Sequence, residues 1–431
     1  MRISGKLNQV SRVHISSSRL LIFGVIASFC TVARAQQPSF TWERLRDKFL
    51  STNPTLRAQA QSIESSRADE ITASLRPNPT LQNDTTSATL GIYQEFEIGG
   101  KRRARIESAR LATAIVRTDS DDTRRTLLFN LRQAFVAALL AKSDLVFARE
   151  NLANYQKVLD LNQLRLKQGD IARADFVKVQ LQMLQFQTDL DDATLALKTA
   201  KASVRSLVGP SNLPTEFDIE GDLRATPLEK SLAELQQLAL SNRPDLKSAE
   251  SGREKAAADL RVAKAMRWPN PTIGTSFLHT GNEIGGPNWF EPFYPKGSVS
   301  NAMGLGIASI SIPISNRNQG EVARTTSEQL RADFLAQAAR NQVLQDVETA
   351  FAAFESSHER VRFYEQTYLN LAKESLDIQD FSFRKGAASI LDFLDAERTY
   401  RSTQLAYRQQ LADYLTNLAL LEAAVGTPLT P

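Results

Sequence analysis

Apolar residues alternate with polar residues and glycine in two short stretches of the chain, which is typical of strands with one apolar and one wet face. In the first stretch one face consists of Leu90, Ile92, Gln94, Phe96 and Ile98. In the second, the pattern slips in phase near Ala308; its apolar positions are Met303, Leu305, Ile307, Ile310, Ile312 and Ile314. With a partner strand before each stretch, the pattern predicts two β-hairpins, at about residues 79–98 and 271–314, and four strands in all.

Four long runs contain neither glycine nor proline, the residues that most disfavour a helix interior. They predict helices at about residues 101–168, 170–208, 321–385 and 387–425. At 1.5 Å per residue, the two longest would each extend about 100 Å, which a compact globular domain cannot hold.

Each of the two longest helices is predicted to end at a lone glycine, Gly169 or Gly386, and another helix run follows directly. Each pair should therefore form a helical hairpin, and we expect both turns at one end of the molecule. From Leu145 to Leu166, apolar positions are spaced alternately by three and four residues, which is the seam of a coiled coil.

The chain is internally duplicated. Residues 168–176 align with residues 385–393 at an offset of 217, and the same offset aligns residues 207–209 with residues 424–426. The Pro-Asn-Pro sequence before each predicted hairpin recurs at an offset of 192. The two offsets differ by 25 residues, which predicts a long loop within the second hairpin, where residues 280–300 are rich in Gly, Pro and Asn.

The first 35 residues have the features of a secretory signal: basic residues, an apolar run at 20–29, and Ala-Arg-Ala before Gln36. The apolar run is too short to cross a bilayer as a helix. The predicted organisation is thus a signal at 1–35, a first repeat at 36–215 and a second repeat at 216–431. The alternative is a lipid anchor on Cys30, but Phe29 stands where lipoprotein signals have a small residue.

Removal of the signal changes the charge balance. Residues 1–35 contain five Lys and Arg and no Asp or Glu, so 47 cationic and 48 anionic side chains remain. This near-neutral chain lacks the basic surface that nucleic-acid binding requires, and we exclude that class.

The ordered set of motifs resembles the TolC-like outer-membrane efflux family over essentially the whole mature chain. The set comprises the paired starts at residues 45–56 and 235–246, the Pro-Asn-Pro sequences, the glycine-centred turns and the duplication. The resemblance implies a homotrimer of mainly helical protomers with a small β part, which share a twelve-stranded outer-membrane barrel above a helical periplasmic tunnel. Residues 94–103 are similar to a segment of the heavy-metal branch; a purely structural reading is a flexible Gly99-Gly100 corner with basic residues at the membrane interface.

The resemblance also implies two kinds of functional residue. Asp392 and Asp395 match the aspartates that ring the periplasmic mouth of the tunnel, whereas in the first repeat Asp175 has a counterpart and Lys178 replaces the second aspartate. The competing interpretation is that both are ordinary solvated helix residues. The turns resemble the contact for a periplasmic adaptor; the residues concerned are Gly169, Asp170, Ile171, Gly386, Ala387 and Ser389.

Catalytic chemistry has little support in the sequence. The predicted mature chain has no Cys, its histidines are His279 and His358, and there is no phosphate-binding glycine loop or nucleophile motif. We predict no enzyme activity, no cofactor and no tight metal site, so that a transported metal would pass unbound.

The sequence therefore favours a passive outer-membrane duct of a tripartite efflux system. Its expected partners are two further copies of itself, a periplasmic adaptor, a proton-driven inner-membrane pump and outer-membrane lipid, and divalent heavy-metal cations are the candidate substrate. The alternatives are a periplasmic coiled-coil adaptor or scaffold, and the duct of a drug-efflux or protein-secretion system.

Overall fold

A computed structural model describes residues 38–84, 89–279 and 301–429. Residues 38–431 form one unit. The predicted signal at 1–35, Cys30 and the predicted long loop at 280–300 lie outside the described residues.

Most of the described chain is helical. Its nine α-helices are α1 (Trp42–Thr52), α2 (Pro54–Ser74), α3 (Lys101–Gln168), α4 (Arg173–Val208), α5 (Leu232–Asn242), α6 (Pro244–Ala265), α7 (Gln319–Phe363), α8 (Leu369–Arg384) and α9 (Ile390–Val425). Among these residues, none of the helices is both long enough and apolar enough to cross a lipid bilayer.

The helices that follow the two turns begin later than the sequence predicted, at Arg173 instead of 170 and at Ile390 instead of 387. Both preceding helices end with a glycine in the left-handed region, Gly169 (φ 84°) and Gly386 (φ 77°). The amide of Asp170 donates to the carbonyl of Arg165 at 2.9 Å, and that of Ala387 donates to Ser382 at 2.9 Å. This six-to-one bond pulls the chain off the helix axis, and a short extended segment must follow before the next helix can start.

The helix predicted at 321–385 is not continuous. It begins at Gln319, and a π-helical turn at Tyr364–Tyr368 separates α7 from α8, which ends at Arg384. A π turn accommodates one extra residue in the helix. The absence of glycine and proline could not reveal it, because the insertion keeps helical dihedral angles.

Four strands form one antiparallel sheet in the order β2-β3-β5-β6: β2 (Thr80–Asp84), β3 (Thr89–Glu95), β5 (Pro271–His279) and β6 (Asn301–Ile310). The sheet thus joins the two repeats through β3 and β5. Thr272 pairs with Ser309 and Ile273 with Ile307, so Ala308 is a bulge and the predicted phase slip is confirmed. The hairpins are shorter than the predicted 79–98 and 271–314, since the pairing ends at Glu95 and Ile310.

A second, two-stranded sheet, which was not predicted from the sequence, also links the two repeats. The two-residue strands β1 (Ser39–Phe40) and β4 (Asp218–Ile219) pair in parallel. Lys142 fixes this pair from α3 by donating to Asp218 at 2.7 Å and to the carbonyl of Ile219 at 2.6 Å.

The duplication is visible in the packing of the core. Leu45 and Phe49 of α1 are fully buried against α3 and α4, in a cluster with Leu131, Phe135, Val204 and Val208. In the second repeat, Leu235 and Ala239 of α5 are buried in the same way against α7 and α9, with Val343, Val347, Tyr414 and Leu418. Each short helix therefore holds its own long helical pair together.

Candidate functional site

The two helical turns, which the sequence predicted at one end of the molecule, lie side by side. The guanidinium group of Arg165 donates to the carbonyl oxygen of Arg384 at 3.0 Å, and it also stacks on the Phe383 ring, 5.2 Å from the ring centre. The first turn is thereby attached to the second across 219 positions of sequence.

An apolar cluster lies behind the turns and fixes their positions. Phe383 of α8 and Phe393 of α9 stack with their ring centres 5.4 Å apart, and both are buried. The buried members of the cluster are Tyr155, Val179, Met183, Phe186, Phe383, Ile390 and Phe393. Since they come from α3, α4, α8 and α9, both hairpins depend on one another for burial.

Four of the six predicted adaptor-contact residues line a groove of about 460 Å³ between the turns. Asp170, Ile171, Gly386 and Ser389 line this groove. All the predicted contact residues are exposed except Ile171, which is half-buried. The turns thus present a recessed polar surface at the end of the described helical part.

Asp392 has a structural role that the sequence analysis did not foresee. Its carboxylate accepts hydrogen bonds from the Ser389 hydroxyl at 2.7 Å and the Ser389 amide at 3.1 Å, while its own amide donates to the Ser389 hydroxyl at 3.2 Å. This is a capping box, which satisfies amides at the start of α9. The hydrogen bonds from Ser389 hold the pKa of Asp392 below its ordinary value, so the side chain is charged.

Asp395 lies one turn further along α9 and is exposed like Asp392. No described side chain pairs with it. In the first repeat, by contrast, Asp175 is neutralised by Lys178 at 3.0 Å. The structure therefore places two uncompensated carboxylates on the second hairpin and none at the equivalent positions of the first.

A half-buried ionisable cluster further along α9 was also missed. Arg401 forms an ion pair with Asp189 of α4 and lies over the Phe186 ring, 5.0 Å from its centre. One oxygen of Glu397 is buried beside them without a hydrogen-bond partner, as is the Tyr155 hydroxyl. Burial raises the pKa of Glu397 to about 7; Arg401 opposes this rise and Asp189 adds to it.

A sequence signal for this cluster existed. Glu397 follows Phe393 by four residues and Ala396 by one, so it borders the apolar stripe of α9. The position of a carboxylate at the edge of such a stripe predicts partial burial. Arg401 follows Glu397 by four residues, a spacing that places the two side chains close together on a helix, so their proximity could also have been predicted.

The two histidines of the described ranges lie in different elements. His279 lies in β5, and His358 lies in α7 between Phe354 and Tyr414, 6.3 and 5.8 Å from their ring centres. Within the described ranges, no three His, Cys, Asp or Glu side chains approach closely enough to hold a metal ion.

The sheet has one exposed apolar face. The paired register places the following exposed side chains on it: Leu81, Leu90, Ile92, Ile273, Phe277, Met303, Leu305 and Ile307. Met303 and Leu305 are 80% and 77% exposed, and no described residue covers this face. The opposite face carries mainly small and polar residues, among them Gly91, Gly274 and Gly306, together with the larger Tyr93.

Comparisons with known proteins agree with this architecture. The family model described as "Outer membrane efflux protein" matches residues 45–210 and 235–427, nearly the two repeats. The cobalt-zinc-cadmium resistance protein CzcC of Cupriavidus metallidurans is 23% identical, covering 83% of this chain and 82% of the relative. The pyoverdine export outer membrane protein OpmQ of Pseudomonas putida is 25% identical, covering 80% and 72%.

Solved structures show the same fold. A crystal structure of CusC, described in connection with transmembrane channel formation, superposes with a TM-score of 0.72 at 18% identity and covers 90% of this chain and 92% of that chain. The family match extends over both repeats, and the family consists of channel proteins and not of enzymes. This chain belongs to the outer membrane efflux protein family, as an outer-membrane channel that extends into the periplasm.

Proposed function

We propose that three copies of this chain close a twelve-stranded barrel in the outer membrane and form the passive duct of a tripartite efflux system. The observation that carries this proposal is the sheet with its exposed apolar face and two unpaired edge strands, β2 and β6. In lipid an unpaired backbone edge is costly, so four strands require neighbours that complete the ring. The glycine-rich opposite face then lines the pore.

A pair of substitutions in β6 tests the barrel. Leu305→Lys puts a charge on the proposed lipid face, which costs about 2–4 kcal/mol near the bilayer centre. Gly306→Lys puts the same charge on the other face, where an added Cβ atom meets nothing within 4 Å. We expect outer-membrane fractions to contain a heat-sensitive trimer for the unmodified chain and for Gly306→Lys, and much less for Leu305→Lys.

The competing function is a periplasmic coiled-coil adaptor or scaffold. Such a protein would share the helical hairpins but would have no use for an exposed apolar sheet face. Recovery of the full chain in the soluble periplasm, or equal tolerance of both lysine substitutions, would favour this alternative over the duct.

The duct proposal also includes an unacylated N-terminus. Mass spectrometry of the mature chain tests the alternative, which is a lipid anchor on Cys30.

Divalent heavy-metal cations are the cargo we propose. CzcC is named for cobalt, zinc and cadmium resistance, and the similarity covers most of both chains. Deletion of the gene should increase sensitivity to cobalt, zinc and cadmium, and the plasmid-borne chain should restore growth. Sensitivity to drugs or loss of a secreted protein instead would point to the other duct types.

The aspartate gate is a further part of the proposal. Asp392 and Asp395 are exposed on one side of α9, so a trimer would gather six carboxylates around its axis. Mutual repulsion would be relieved by cations or by basic groups of a partner. Because the first repeat lacks this pair, the gate would open by movement of the second hairpin.

The two turns are the proposed contact for a periplasmic adaptor that connects the duct to a proton-driven inner-membrane pump. Their recessed polar groove suits the tip of a partner hairpin. Cys30 is the chain's single cysteine, so an introduced thiol would be a clean probe. We expect Ala387→Cys to crosslink to the adaptor in cells, and Ser241→Cys, exposed at the end of α5, not to crosslink.

A further inference from the structure

The four connections between the sheet and the helices lie at one end of the sheet. They are residues 75–79 before β2, 96–100 after β3, 266–270 before β5 and 311–318 after β6. Because neighbouring strands are antiparallel, the starts of β2 and β5 meet the ends of β3 and β6. These connections form the boundary between the apolar sheet face and the helical part.

Exposed arginines are concentrated at this boundary, and we call them the arginine collar: Arg76, Arg102, Arg103, Arg267 and Arg317. No described carboxylate pairs with any of them. Arg102 donates to the carbonyl of Ser74 at 2.6 Å and Arg317 to that of Ile314 at 3.3 Å, contacts that orient the side chains without neutralising them.

The acidic residues of the same region are engaged elsewhere. Glu97 is 10% exposed and bound by Arg105 at 2.5 Å, a hydrogen bond that holds its pKa below the ordinary value. Glu95 accepts from Asn270 at 2.5 Å, and Asn270 in turn accepts from Lys101 at 2.5 Å. The collar therefore carries an excess of positive charge on its outer surface.

Apolar side chains stand among the collar arginines. Trp268 is 60% exposed and lies against Gly99, where even one added carbon would come within 2.6 Å of the indole. Leu75, Ile312 and Ile314 are likewise exposed and continue the apolar face of the sheet. An aromatic ring and cations next to an apolar band are the combination found at the border between lipid tails and headgroups.

We propose that the arginine collar binds anionic phospholipid headgroups in the periplasmic leaflet of the outer membrane. The inference rests on the proposed membrane duct, since it uses the sheet as the membrane-spanning part. A nucleic acid or an acidic protein would match the charge, but neither would cover the interspersed apolar side chains, whereas a phospholipid presents a phosphate and acyl chains together. The guanidinium group suits phosphate because it donates two parallel hydrogen bonds.

Trp268 supplies a probe for the test. The sequence has three tryptophans, so Trp42→Phe with Trp289→Phe leaves Trp268 as the single fluorophore of the full chain. The chain is reconstituted into vesicles of phosphatidylethanolamine with brominated phosphatidylglycerol, or with brominated phosphatidylethanolamine, and quenching gives the relative affinity of the two lipids. We expect about a fivefold preference for phosphatidylglycerol, reduced at high salt.

Neutralisation of the collar should abolish the preference for phosphatidylglycerol and leave the quenching by brominated phosphatidylethanolamine unchanged. The substitutions are Arg76→Gln, Arg102→Gln, Arg103→Gln, Arg267→Gln and Arg317→Gln. The matched control removes the same charge from exposed lysines elsewhere: Lys157→Gln, Lys198→Gln, Lys230→Gln, Lys247→Gln and Lys373→Gln. This control should retain the preference.

Three results would contradict the proposed binding of anionic phospholipid by the arginine collar. The arginines do not select anionic lipid if both lipids quench the unmodified chain equally, or if the collar variant keeps the preference for phosphatidylglycerol. The same conclusion follows if the lysine control loses the preference to the same extent as the collar variant. These results leave the duct intact, because the tryptophan is still in lipid. Absence of quenching by either lipid would contradict the membrane-spanning sheet itself, and with it the proposed function.

Discussion

Arg165 of α3 donates a hydrogen bond to the backbone carbonyl of Arg384 at the end of α8, 3.0 Å away. The same guanidinium group lies over the Phe383 ring. One side chain of the first repeat therefore holds the last turn of a helix in the second. The candidate gate residues lie on α9, which follows α8 directly after the turn, so this contact connects the two hairpins close to the proposed gate.

Removal of this contact should loosen the second turn locally. A charged hydrogen bond and a cation–π contact at a half-exposed site together contribute about 1.4 kcal/mol, so Arg165→Leu should accelerate hydrogen exchange of the amides at 385–390 about tenfold. Lys167→Leu removes a neighbouring exposed cation and should leave exchange unchanged. Equal protection in the two variants would show that the contact does not restrain the turn.

Charge removal at the gate should increase conductance. Asp392→Asn together with Asp395→Asn removes both charges, and asparagine at 392 can still accept the hydrogen bonds of the capping box. In planar bilayers we expect a larger single-channel conductance and weaker block by divalent cations. Asp191→Asn with Asp192→Asn, at two exposed positions of α4, is the control. Unchanged conductance and block in the gate variant would argue against the aspartate ring.

Glu397 should make stability depend on pH. Its pKa is about 7 in the folded protein and ordinarily 4.5, so between these values the folded chain retains a proton that the unfolded chain has released. The resulting stabilisation is full below pH 4.5 and is lost as the pH rises to about 7, with an upper bound of about 3 kcal/mol. Glu397→Gln should remove this loss and raise the urea midpoint at pH 8.

Asp144 needs a separate control in that experiment. Burial raises its pKa to about 6, with Arg408 opposing the rise, so it contributes a loss of stability in the same direction over a similar pH range. Asp144→Asn should therefore retain the part of the pH dependence that belongs to Glu397. If Glu397→Gln unfolds with the same pH dependence as the unmodified chain, the proposed protonation of Glu397 is wrong.

The proposed pore face should tolerate new side chains unequally. At Gly274 an added carbon would meet the Tyr93 ring, with Cε1 at 2.8 Å, and the carbonyl oxygen of Ile92 at 3.0 Å. Gly274→Ala should therefore cost about 1–3 kcal/mol and lower the temperature at which the trimer dissociates. Gly306→Ala, directly opposite in the sheet, meets nothing and should have little effect. Tyr93→Ala should partly rescue Gly274→Ala; if it does not, the ring is not the obstacle.

Much of the fold could be predicted because it depends on local backbone preferences. Long runs without glycine or proline specify helices, and Gly169 and Gly386 specify where two of them end, since a left-handed residue is needed there. The bulge at Ala308 was visible as a break in the period-two pattern. The starts of α4 and α9 were misplaced by three residues, because the length of the extended segment depends on hydrogen bonds that close each turn.

The duplication, the two helical hairpins and the apolar face of the strands could be predicted from the sequence alone, since each follows from neighbouring residues and their spacing. The pairing of β3 with β5, the contact of Arg165 with Arg384 and the half-buried position of Glu397 beside Arg401 and Asp189 became apparent only from the folded chain. These features could not be predicted because hydrogen bonding and desolvation depend on which distant segments pack together. The charge state of Glu397 thus depends on α4 as well as on its own helix, α9.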